Sequence, residues 1–108
     1  MRFAGTFKGA AEGSASGNAA LVSVDNGRKI ELTITKLDVA PGPGLHVWLA
    51  PGNGEDLSHA IDLGGLKGNK GDMQYDVMPN TDITSLHTVV IRSRVFTTDF
   101  ARAELKAQ

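Results

Sequence analysis

The sequence predicts an all-β domain, an antiparallel β sandwich of seven or eight strands. Three observations carry that expectation. Thirteen glycines and four prolines cut the chain into short runs. The runs are rich in β-branched residues and alternate with a period of two, and an Asn-Gly pair joins two of them in the manner of a tight hairpin. At 108 residues the chain is a single domain over its whole length, because compact domains most often hold about 100–150 residues and a second one would be too small to bury its own core.

The first run is 2–8, where Phe3, Gly5 and Phe7 alternate with polar or small neighbours. A glycine- and alanine-rich passage, 9–17, leads into a second run at 18–24. Asp25-Asn26-Gly27 follows, and its Asn-Gly pair tolerates the positive φ of a hairpin turn. In 28–37, Ile30, Leu32 and Ile34 take one face while Lys29, Glu31, Thr33 and Thr35 take the other, the pattern of a half-buried antiparallel strand. Ala40-Pro41-Gly42-Pro43-Gly44 forbids regular structure, because proline lacks a donor and restricts its predecessor.

The next strand is 45–50, with Leu45, Val47 and Leu49 on one face and His46 and Trp48 on the other. Residues 58–63 are a weaker strand candidate. Lys67-Gly68-Asn69-Lys70-Gly71 reads as a hairpin loop before a strand at 72–77, and Pro79-Asn80-Thr81-Asp82 as a turn before one helical turn at 83–86. The strongest β run is 87–95, centred on Val89-Val90-Ile91. The tail, 96–105, fits either a strand or a short helix begun at Thr98, with a strand ending at Leu105 preferred.

Eleven basic and twelve acidic side chains leave a formal charge of −1, without the basic excess that binding a phosphate backbone requires, so nucleic acid is not an expected partner. The charges are uneven. Residues 53–82 carry Glu55, Asp56, Asp62, Asp72, Asp76 and Asp82 against Lys67 and Lys70, whereas the end of the chain carries Arg92, Arg94, Arg102 and Lys106 against Asp99 and Glu104. The ordinary expectation is that the two segments attract each other in the fold; the alternative is a steering surface for a charged partner. No stretch approaches the roughly 20 apolar residues of a membrane helix, so no membrane span is expected. With no cysteine, disulfides cannot indicate the compartment.

The search for chemistry is mostly negative. His46, His59 and His87 show no His-x-His pair, no His-Glu-x-x-His and no cysteine partner, so their spacing carries no metal signature and each reads as an ordinary surface or partly buried residue. Asn53-Gly54-Glu55-Asp56 lacks the alternating ligands of a calcium loop. Gly64-Gly65-Leu66-Lys67-Gly68 lacks the Gly-Lys-Ser/Thr of a phosphate loop, and Gly13-Ser14-Ala15-Ser16-Gly17 has alanine where a nucleophile elbow needs serine. Trp48 shares a face with His46. If that face is solvated, the pair is a recognition surface; if it lies inside the sandwich, Trp48 is core, which is the preferred reading.

Several segments together resemble the DM thirteen domain family, described as an electron-transfer domain and often extracytoplasmic. They are Gly5-Thr6-Phe7, Gly17-Asn18-Ala19-Ala20-Leu21, Pro43-Gly44-Leu45-His46-Val47-Trp48-Leu49, the run from Leu63 to Gly71, Gln74-Tyr75, Pro79, Val89-Val90-Ile91, Phe96, Phe100, Ala103 and Leu105. The resemblance implies a single cysteine after the Val-Val-Ile run, working as a bare thiol or holding a prosthetic group such as haem. Here Arg92-Ser93 stands where the family shows an aromatic residue and that cysteine. A serine hydroxyl is far less acidic than a thiol and a poor soft-metal ligand. The expectation is therefore a non-catalytic, extracytoplasmic binding module with no cofactor. Its candidate binding residues are Arg92, Arg94, His46, Trp48 and His87, and its ligand is a protein, a glycan or a small molecule. The alternative is an electron-transfer component that binds haem or a metal through His46 or His87.

Overall fold

The computed structural model describes residues 2–10, 14–54, 57–95 and 98–108. Its strands, in chain order, are β1 (Arg2–Gly9), β2 (Ala15–Val24), β3 (Lys29–Val39), β4 (Leu45–Ala50), β5 (Ile61–Gly65), β6 (Lys70–Val77), β7 (Thr88–Ser93), β8 (Asp99–Glu104) and the short β9 (Lys106–Ala107). Each pairing is antiparallel, and the hydrogen-bonded path runs β5-β4-β7-β8-β1-β2-β3-β6, with β9 against β1.

The path folds into two layers because β1 serves both. Phe3 and its neighbours pair with β2 in the first sheet, and Phe7, Lys8 and Gly9 pair with β8 in the second. The C-terminal strand follows the same bend: β9 and β8 meet β1 in one continuous register on either side of Leu105. Leu21, Leu32 and Ile34 of the first sheet face Val47, Leu49, Val89 and Ile91 of the second, all fully buried. This is the sandwich the alternation predicts, with a ninth, two-residue strand.

The Asn-Gly turn joins β2 to β3 as expected. It is a single 3-10 turn, Asp25–Gly27, in which Asn26 sits at φ 56° and Gly27 at φ 86°. The tail is a strand, not a helix. Three readings need correction. Trp48 is not core: the inward side of β4 is Leu45, Val47 and Leu49, leaving Trp48 half-buried on the outer face. The weak strand lies further along than 58–63, at Ile61–Gly65. Residues 67–71 do not close a hairpin, since β5 pairs with β4 and β6 with β3. They carry the chain from one layer to the other.

Consecutive in sequence, β5 and β6 are the two ends of the strand path, and one side chain bridges the seam between them. Tyr75 of β6 accepts from the Lys67 N–H at 2.8 Å and donates to the Gly65 carbonyl at 3.1 Å. Lys67 lies over its ring at 4.9 Å and reaches the Gln74 carbonyl. Tyr75→Phe should therefore lower stability by about 1 kcal/mol, because it strips two backbone groups of their partner at a partly buried seam. Urea unfolding checks this; an unchanged midpoint would mean that those groups find water.

Candidate functional site

The outer face of the second sheet gathers most of the side chains singled out from sequence. On adjacent strands His46 stands opposite Arg92, and Trp48 stands between Val90 of β7 and Asp62 of β5. The His46 and Trp48 rings lie 6.4 Å apart and tilted. His46 Nδ1 faces both carboxylate oxygens of Asp62, at 2.9 and 3.1 Å. An ionised carboxylate only accepts, so Nδ1 carries the proton and Nε2 of the neutral ring keeps its lone pair. Burial pushes the Asp62 carboxyl up, but hydrogen bonds from His46 and the Gly64 N–H, with the His46 and Arg94 charges, bring it below its ordinary value.

Trp48 carries an unmatched donor. Its Nε1 is enclosed and meets no acceptor among the described residues, a condition that costs about 1–3 kcal/mol. Further along the same face the 51–54 loop folds back over the sheet. Thr88 donates to the Gly52 carbonyl at 2.7 Å, and a side chain at Gly54 would collide with Val90. That cover explains why the Val89-Val90-Ile91 run is buried on both faces although only Val89 and Ile91 belong to the core between the sheets.

Arg92, one of the candidate binding residues, is engaged within the fold. With Arg102 it clasps Asp99: Arg92 Nε donates to Oδ1 at 2.5 Å, Arg102 Nε to Oδ2 at 2.8 Å, and Arg102 Nη2 to Oδ2 as well. Arg102 Nη1 also donates to the Asn53 carbonyl at 3.0 Å. The basic end of the chain thus satisfies itself with its own Asp99, and the expected attraction to the acidic middle is represented by Asp62 and Arg94. Arg94 is exposed. Glu55, Asp56 and Phe96 lie outside the described residues, as do parts of the 51–57 loop and of the 9–17 passage.

Ser93 ends β7 with no accessible surface. Its hydroxyl donates to the Pro43 carbonyl at 2.7 Å and accepts from the Val95 N–H at 3.2 Å, so it ties the proline-rich 40–44 loop to the turn after β7. His87 is exposed at the opposite end of β7 from Arg92 and His46, and His59 is exposed as well. Among the described residues no three His, Asp or Glu side chains converge where they could hold a metal. The donors present do not fit a haem or soft-metal socket at Ser93: it offers a buried hydroxyl already engaged with backbone, and the histidines stand apart.

Replacing Ser93 by cysteine tests how sealed the position is. The longer C–S bond and weaker donor should cost about 1–2 kcal/mol, and the thiol should stay silent to Ellman's reagent until the protein unfolds. Native labelling at the rate of the denatured chain would show that the position is open.

Two packed antiparallel sheets, a polar residue sealed at the end of β7 and an aromatic–imidazole pair outside β4 define a compact β-sandwich domain with one differentiated face. The family follows: the chain belongs to the Electron transfer DM13 family, whose sequence model matches residues 6–105. No curated protein and no solved structure matches the chain.

Proposed function

We propose that this domain is a non-catalytic binding module of the DM13 type, acting outside the cytoplasm, in which Ser93 replaces the family's redox cysteine and the outer face of β4, β5 and β7 recognises the ligand. The observation that carries this reading is the sealed Ser93 hydroxyl, held by the Pro43 carbonyl and the Val95 N–H. A group so placed holds two loops together and has no thiol chemistry to offer. Recognition falls to Trp48, His46, Asp62 and Arg94. They combine a flat apolar ring, an imidazole with a free acceptor nitrogen, a carboxylate and a guanidinium on one face, the mixture typical of specific contact surfaces.

An absorption spectrum of the natively expressed protein, repeated after adding haemin and combined with elemental analysis, tests the first half of the proposal. The expected protein is colourless and free of stoichiometric metal. A Soret band that disappears in His46→Ala or His87→Ala would instead establish histidine-ligated electron transfer. The second half is read from Trp48 fluorescence, the chain's one tryptophan, against panels of peptides and glycans. A ligand that shifts the emission should lose affinity in His46→Ala, and a ligand indifferent to His46→Ala by fluorescence and to Trp48→Ala by calorimetry binds elsewhere.

A further inference from the structure

On the side of the molecule where β1 passes from one sheet to the other, two neighbouring hollows share Ala4, Gly5, Thr6 and Gln108. The first, of about 840 Å³, lies in the bend of β1 and the C-terminal strand, with the 52–53 backbone and His87 as its far wall. The second, of about 550 Å³, continues over the outer face of the first sheet as far as Thr33 and Thr35. Together they form one groove floored by small residues and running across the strands.

The charge along this groove differs in sign from that of the chain as a whole. Arg2, Lys8, Arg102 and Lys106 line it, and Glu104 is the one carboxylate among the described lining residues, although the chain carries more acidic than basic residues. Arg2, Lys8 and Lys106 are exposed and make no ion pair among the described residues. Between the cations the walls offer hydroxyls and amides from Thr6, Asn18, Thr33, Thr35 and Gln108.

Each feature narrows the ligand. Three cations without an ion pair among the described residues, against one carboxylate, favour an anion with several charges. The described lining has no Phe, Tyr or Trp on which a base could stack, His87 being its one ring, which disfavours single-stranded nucleic acid. Where it floors the groove, β1 is paired with β2 on one side and with β9 at Phe3 and Ala4 on the other, so a peptide finds no strand edge to extend. A hydroxyl-rich chain with regularly spaced anionic groups matches both the polar walls and the cationic rim.

We propose that this groove binds an acidic polysaccharide, with Lys8, Lys106 and Arg2 meeting its carboxylate or sulfate groups and the threonine and amide side chains meeting its hydroxyls. The site is distinct from the Trp48 face, and its failure would leave that reading intact.

Calorimetric titration of the full chain with oligogalacturonate and with a heparin oligosaccharide tests it, at low and at physiological salt, with a neutral cello-oligosaccharide as control. Binding to either anion is expected, and which of them binds tells carboxylate from sulfate recognition. Affinity should fall about tenfold or more in a Lys8→Glu, Lys106→Glu double variant and fall with salt. Lys70→Glu, outside the groove, should bind as the parent does. Amide NMR shifts at Thr6, Thr33 and Gln108 locate the ligand even if the double variant folds poorly. The proposal is overturned by absence of binding to both anions, by equal affinity for the neutral sugar, by indifference to the double variant, by shifts confined to other surfaces, or by tighter binding of polyglutamate or DNA.

Discussion

Gly5→Ala is expected to be the most damaging small substitution in this domain. At Gly5 the chain passes so close to the C-terminal strand that a β-carbon would stand 2.0 Å from the Glu104 carbonyl oxygen and 2.8 Å from its carbon. Those are backbone atoms of the last residue of β8, and β8 is held on its other edge by β7. No side chain can rotate away, so relief requires parting the strands at the point where both change sheets. The expected cost is about 3 kcal/mol or more, at the upper end of overpacking effects. Thermal or urea unfolding measures it, with Gly65→Ala as control, because the nearest atom to a β-carbon there is 4.0 Å away. Equal stability of the two variants would mean that the crossing is looser than described.

Asp99→Asn is expected to have the next largest effect. The carboxylate is buried beneath two guanidiniums that themselves are less than one-third exposed. The amide keeps the shape but leaves both cations without their counter-charge, for a loss of about 2 kcal/mol. The substitution also changes the response to acid. Burial pushes the Asp99 carboxyl up, but the hydrogen bonds and charges of Arg92 and Arg102 outweigh it and hold it below its ordinary 3.8. A carboxyl with a depressed folded-state pKa binds protons more readily once the chain unfolds. Its stabilisation is therefore complete above the ordinary value and fades as pH falls through the folded-state value. Asp62 is shifted the same way. The parent should lose stability steeply below about pH 4, and Asp99→Asn should start lower and show a shallower acid slope. A parallel pair of curves would refute the role given to Asp99.

The strands were legible in the sequence wherever one face is buried and the other wet. In β3 the alternation of Ile30, Leu32 and Ile34 with charged and hydroxylated neighbours corresponds directly to the burial observed. The pattern misleads at Trp48, where a large ring reads as interior although Leu45, Val47 and Leu49 already fill that side of β4. It misleads again at 67–71, because turn-forming residues have the same composition whether they join paired strands or carry the chain between layers. The pairing of Arg92 with Asp99 is not legible in sequence because that partner lies seven residues on, beyond a turn whose direction local sequence does not fix. The Asp62 contact to His46 depends on which strand lies beside β4, a matter of topology. Ser93 is singled out only by the resemblance, which places the family's cysteine after the Val-Val-Ile run; its burial and its bonds to Pro43 and Val95 are not legible in sequence.

The meeting of β1 with β9 brings the two ends of the described chain together, with the Gln108 N–H donating to the Arg2 carbonyl at 3.0 Å and Phe3 opposite Ala107. Because these strands are antiparallel, a force that draws the ends apart loads the rungs of the ladder one at a time instead of all at once. The domain is therefore held at neutral pH by its core and its Asp99 clasp, yet opens under tension like a zip, starting at the Arg2–Gln108 rung and running toward the corner where β1 changes sheets.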